Sequence, residues 1–140
     1  MSVDIYGVVA WGEPIDVETT GQRVEDLAKV ADVLSPMLYP SHFYPGFRGS
    51  PLPALEPYHF VHEGVSRIRE RLAPEPVRIR PWLQAFAYRT GNAFDAKYVV
   101  AQLEASRDAH GRGFLLWDPR SQYRVAKEGI ARFGVGETVR

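Results

Sequence analysis

The chain has no cysteine in 140 residues, so a disulfide framework and a thiolate metal site are both excluded and no redox compartment can be read. It lacks a charge of either sign in excess: 17 basic residues balance 17 acidic ones, which leaves no electrostatic case for nucleic acid or an anionic membrane as partner. No apolar run approaches the roughly 20 residues of a membrane span. Met1-Ser2-Val3-Asp4 has no basic region and runs directly into a strand-like pattern, so no signal peptide is read and the expected compartment is the cytoplasm. Lysine is scarce, with arginine supplying 14 of the 17 basic residues, a bias that fits a G+C-rich coding sequence better than a thermophile, where Lys and Glu are the enriched pair. The four histidines show no metal-ligand spacing and no Gly-rich loop follows a strand, so neither metal nor cofactor is expected.

What is present is an ordinary globular composition, 45% hydrophobic and 24% charged, and a length that suits one domain over residues 1–140. The most informative stretch is Leu34-Ser35-Pro36-Met37-Leu38-Tyr39-Pro40-Ser41-His42-Phe43, where a short apolar run ends in hydroxyl, imidazole and aromatic side chains. A strand whose C-terminal end carries such groups is where an α/β protein keeps its site. The same event recurs at Val77–Gln84 and at Phe114–Trp117 followed by Asp118-Pro119.

In order, Ser2–Trp11 is β-branched and aromatic and predicts a first strand, whose place so near the start suggests that something preceded it. Gly12–Gly21 reads as a loop, Gln22–Ala31 as a helix with Val24, Leu27, Ala28 and Ala31 on one face, and Asp32–Leu38 as the second strand. Tyr39–Glu56 is a loop longer than the usual βα connection, which points to function. Pro57 begins a helix with Val61, Val65, Ile68 and Leu72 in register. Val77–Gln84 divides by period two into an apolar face and a second face bearing Arg78, Arg80, Trp82 and Gln84. Asp95 caps a third helix ending at His110-Gly111, Gly113–Trp117 is a fourth strand, a fourth helix spans about Arg120–Phe133, and Gly134–Arg140 reads as frayed.

This βαβαβαβα order implies a parallel sheet with right-handed crossovers, either a small doubly wound sheet or half of a (β/α)8 TIM barrel. Polar groups at the ends of adjacent strands, and a polar second face on the third strand, favour the half barrel. A doubly wound sheet would want both faces of its central strands apolar.

The assembled motifs resemble a family of bacterial proteins, the putative glycosyl hydrolase domain, distantly similar to amylase-like barrels. Asp32–His42, Arg80–Gln84 and Gly113–Trp117 carry the likeness, with Tyr6-Gly7 and Gly21-Gln22 in the same register. The resemblance implies that the chain is the C-terminal four units of an eight-unit barrel. It also implies that the nucleophile of such families, in a motif similar to Asp-Tyr-Ile-Arg-Phe-Pro upstream, has no counterpart here.

Glycoside hydrolysis needs two carboxyl groups across the bond, about 5 to 5.5 Å apart for retention and wider for inversion. Near strand ends the chain offers Glu13, where a fifth-strand acid would stand, and Asp118; the alternatives are a solvated loop carboxylate and a helix cap with Pro119 at the first helical position. The family more often has Asn at the place of Asp118, which suits a cap. Trp11, Tyr39, Trp82 and Trp117 would ring a barrel mouth and offer flat faces to sugars, or else fill its core. His42 and Gln84 suit sugar hydroxyls, with loop and strand-end hydrogen bonding as the alternatives, and Arg80 is expected to pair with Asp4 or Asp32. Three functions fit: a carbohydrate-contacting glycoside-hydrolase-like half barrel not catalytic alone, a non-catalytic carbohydrate-binding remnant, and a structural half barrel. An open four-stranded sheet exposes two edges and its inner face, so a homodimer or an N-terminal half-barrel partner is expected.

Overall fold

A computed structural model of the chain describes residues 1–138. Five strands, β1 (Ser2–Tyr6), β2 (Val33–Met37), β3 (Arg78–Ile79), β4 (Trp82–Gln84) and β5 (Leu115–Trp117), form one parallel sheet. β1 pairs with β2, β2 with both β3 and β4, and β4 with β5; counting β3 and β4 as two pieces of one strand, neighbours in space are neighbours in sequence. A doubly wound sheet reverses its order at a switch point. The unreversed order found here is that of a partial β/α barrel.

Five α-helices link or follow these strands: α1 (Pro14–Thr20), α2 (Val24–Leu27), α3 (Pro57–Leu72), α4 (Ala96–Asp108) and α5 (Arg124–Thr138). α2 packs on α3, α3 on α4 and α4 on α5, which puts them in one layer on one face of the sheet. Register fixes which side chains meet that layer: Ile5, Leu34, Ile79 and Leu83 turn towards it and are buried with Phe60, Val61, Val65, Ile68, Val99 and Leu103. Their partners in the alternation, Asp4, Tyr6, Met37, Trp82 and Trp117, lie on the open face. Tyr6 keeps 53% of its surface and Trp117 46%, so this face is not a second core.

Several elements differ from the sequence expectation. The first strand stops at Tyr6, and Gly7–Trp11 winds into a 3-10 turn that carries Val9, Ala10 and Trp11 under the sheet end. Gly7 permits the bend because a side chain there would overlap the Met37 carbonyl oxygen. The expected loop at Gly12–Gly21 holds α1, started by Pro14 and closed by Gly21 at φ 66°, while the expected helix at Gln22–Ala31 is reduced to the four residues of α2. The third strand is broken at Arg80-Pro81 into β3 and β4, since proline has no N–H for a ladder. The last helix begins at Arg124 rather than Arg120 and continues to Thr138, so most of the expected frayed tail is helical; residues 139 and 140 lie outside the described residues. α3 and α4 occupy their expected places, and the Asp95 carboxylate accepts the Tyr98 N–H at 2.9 Å as the cap of α4.

Candidate functional site

Two adjoining hollows sit at the C-terminal ends of the strands. The first, about 570 Å³, is walled by Asp4 and Tyr6 of β1, Met37 at the end of β2, Tyr39, Trp82 of β4 and Trp117 of β5, with His42, Tyr44 and Phe47 from the long loop. The second, about 590 Å³, shares His42 and Trp117 with it and continues over Phe86, Tyr88, Asp118 and Arg120. Trp82 and Trp117 stand edge to face, ring centres 6.3 Å apart and planes at 90°, and make a corner of the first hollow. The Trp82 indole N–H donates to the Asp4 carboxylate at 2.9 Å, which fixes that ring across the sheet.

The long loop is ordered by its own aromatics. Trp11 lies at 5.1 Å from both Phe43 and Phe47, edge to face, and Phe43 stacks on Phe60 of α3 at 4.9 Å. The Tyr98 hydroxyl donates to the Ala54 carbonyl at 2.9 Å and tethers the far end of the loop to α4. With the backbone held at both ends, Tyr39 and His42 are presented to the hollows from a fixed base.

Two amides hold the end of β4. Gln84 is fully buried; its Oε1 accepts the Ser41 N–H at 3.1 Å and its Nε2 donates to the Phe86 carbonyl at 2.8 Å. Gln102, buried in α4, accepts the Gln84 N–H at 2.8 Å and donates to the Gln84 carbonyl at 2.9 Å. The Gln84 side chain thus organises backbone and lines neither hollow.

Electrostatics follow burial. Burial, reinforced by the nearby Asp4 carboxylate, raises the Tyr39 hydroxyl far above its ordinary value, so it stays protonated and able to donate. His42, ringed by Tyr39 at 5.1 Å, Phe86 at 5.7 Å and Tyr88 at 6.0 Å, is pushed below 6.5 by burial and by Arg89. Its imidazole is neutral at pH 7, with one nitrogen to donate and one to accept.

Four expected residues, Tyr39, His42, Trp82 and Trp117, therefore meet at the hollows, and Asp118 lines the second. Trp11, at 8% exposure, fills the aromatic core beneath the loop. Glu13 flanks α1 and is ion-paired with Arg48, lining neither hollow. Asp118 caps a turn and not a helix: its Oδ1 accepts the Arg120 N–H at 2.6 Å and its carbonyl the Ser121 N–H, and it lies well before the helix, which begins at Arg124. Arg80 pairs with neither expected carboxylate; its Nε donates to the Arg112 carbonyl at 3.4 Å, while Asp32 is ion-paired with the N-terminal amine. Asp4 and Tyr6 did not enter the expected site, although the alternation Ser2, Asp4, Tyr6 along β1 is a signal that puts both on the open face.

Residues 1–123 match the family described as a putative glycosyl hydrolase domain. The chain belongs to that family. No curated protein and no solved structure matches it. In this member of the putative glycosyl hydrolase domain family no group of three His, Cys, Asp or Glu among the described residues could hold a metal ion, and no described helix is long and apolar enough to cross a membrane.

Proposed function

We propose that this chain is a carbohydrate-contacting, glycoside-hydrolase-like half barrel that does not cleave glycosidic bonds on its own. The observation that carries the reading is the first hollow: four aromatic rings at strand ends around one carboxylate, Asp4, which already accepts a hydrogen bond from Trp82. Flat rings at right angles stack on a pyranose from beneath and from the side, and Tyr39 and neutral His42 supply hydroxyl partners. Bond cleavage needs a second carboxyl across the same bond, and Asp118 belongs to the neighbouring hollow while Glu13 faces Arg48.

The test is tryptophan fluorescence of the whole chain titrated with neutral gluco-, xylo-, manno- and chito-oligosaccharides, beside an assay of aryl glycoside cleavage. At least one series should quench saturably, Trp117→Ala should weaken that binding about tenfold or more, and no aryl alcohol should be released. Absence of saturable quenching in every series sinks the carbohydrate reading; turnover that survives purification sinks the non-catalytic one.

The free edges bear on the partner. β1 and β5 each pair on one side only, and the open face between them carries Tyr6, Met37 and Trp117. A second copy about a two-fold axis along the strands would lay β5 of each against β1 of the other in parallel and close eight β/α units, which is the partner proposed.

A further inference from the structure

At the opposite end of the sheet lies a hollow of about 520 Å³ that shares no wall with the aromatic pair. Arg69 of α3, Arg78 of β3, Arg80 and Arg112 line it. Six other arginines, Arg23, Arg48, Arg67, Arg71, Arg107 and Arg124, each form an ion pair with a carboxylate. None of the four in this hollow has a salt bridge among the described residues. Their fixed hydrogen bonds go to backbone carbonyls instead, Arg69 Nη1 to His110 at 2.9 Å and Arg80 Nε to Arg112 at 3.4 Å. Those bonds aim two guanidiniums and leave most of their N–H groups unused. Two carboxylates oppose the excess: Glu75, which lines the hollow, and Asp32, which lies near Arg78 but is engaged by the N-terminal amine.

We infer that this arginine-lined hollow is a binding site for a tetrahedral oxyanion, a phosphate or sulfate group, separate from the aromatic hollows. In a chain of zero net charge, four guanidiniums facing one space against a single lining carboxylate are a local excess that a mobile anion relieves. Planar forks offering paired N–H donors match two oxygens of such a group, which a lysine cannot do. The loop at His110–Gly113 shapes the wall: His110 at φ 60° and Gly113 at φ 83° turn the chain so that the Arg112 carbonyl meets Arg80 and the Arg112 N–H meets the Ile79 carbonyl at 2.7 Å.

The experiment follows the arginine Nε–Hε resonances of the whole chain by NMR at pH 7 and low salt, titrating sodium phosphate, sulfate and pyrophosphate separately. Saturable shifts confined to the lining arginines are expected, with pyrophosphate tightest and binding weakened on raising the salt to 0.15 M. Phosphate and sulfate arms compared at equal concentration tell which oxyanion is preferred. Arg80→Gln and Arg112→Gln, each checked for a native near-ultraviolet circular dichroism spectrum, should weaken pyrophosphate about fivefold or more, while Arg124→Gln, remote on α5, should leave it unchanged. Non-saturable shifts, or saturable shifts that both folded Gln variants retain, overturn the proposal. Oligosaccharide quenching reports on the other end of the sheet, so either result stands without the other.

Discussion

The side chains that shape the site do so mostly by satisfying backbone. Gln102 is the clearest case, since its amide answers both the N–H and the carbonyl of Gln84 where both residues are fully buried. Gln102→Ala strands both groups, and urea unfolding should show a loss of about 2–4 kcal/mol, with oligosaccharide binding weakened as the end of β4 loosens. Nothing in the sequence singles out Gln102, which sits in mid-helix and whose partner is a backbone 18 residues away. Gln84 was legible as a strand-end amide, but its hydrogen bonds face inward to the loop rather than outward to a ligand. His42 offers a pH readout. Its imidazole is held below the free value of 6.5, so protonation is disfavoured in the folded chain. The stability this contributes is full above pH 6.5 and is lost as the pH falls towards the folded value. A histidine titration by NMR should place His42 below 6.5, and an ordinary or raised value would mean that contact with Tyr39, Phe86 and Tyr88 does not desolvate this solvent-reachable imidazole.

At the scale of elements, close packing of α4 and α5 rests on Gly129, where an added Cβ would come to 2.7 Å from Val99 Cβ and 3.1 Å from the Ala96 carbonyl. Two effects compete in Gly129→Ala: helix propensity favours alanine by about 1 kcal/mol, and overpacking costs about 1–3 kcal/mol. The obstructing atoms are a β-branched Cβ and a backbone oxygen, neither able to swing away, so overpacking should win. Thermal unfolding followed by circular dichroism should show a lower midpoint; an unchanged or higher one would mean the helices separate freely. The same elements show what was legible. α3 and α4 have strong 3.6-residue periodicity, a proline start or an aspartate cap, and buried faces, and their positions follow from the sequence. α1 buries no residue, so only its Pro14 and Gly21 mark it and no period does. The run Gly7–Trp11 has strand composition, yet a tertiary demand overrides it: Trp11 must reach Phe43 and Phe47.

For the whole molecule, the proposed second copy makes a single mass decisive. Light scattering of the purified chain should give twice 15.8 kDa, with a Trp117→Arg variant shifted towards the monomer. A monodisperse monomer would leave four units with two open edges and rule out self-completion. The parallel order of the units was readable from the alternation of strands and helices, and the open inner face from the polar second face of the third strand. The sheet's free edges could be inferred only by counting units against a closed barrel. The unreversed strand order has one more consequence, which concerns synthesis. When β2 emerges from the ribosome its partner β1 is already made, and β4 and β5 in turn each find the preceding strand waiting. Among β1 to β5 no strand pairs with one more than a single β/α unit away, so these units can assemble by accretion in the order in which they are made.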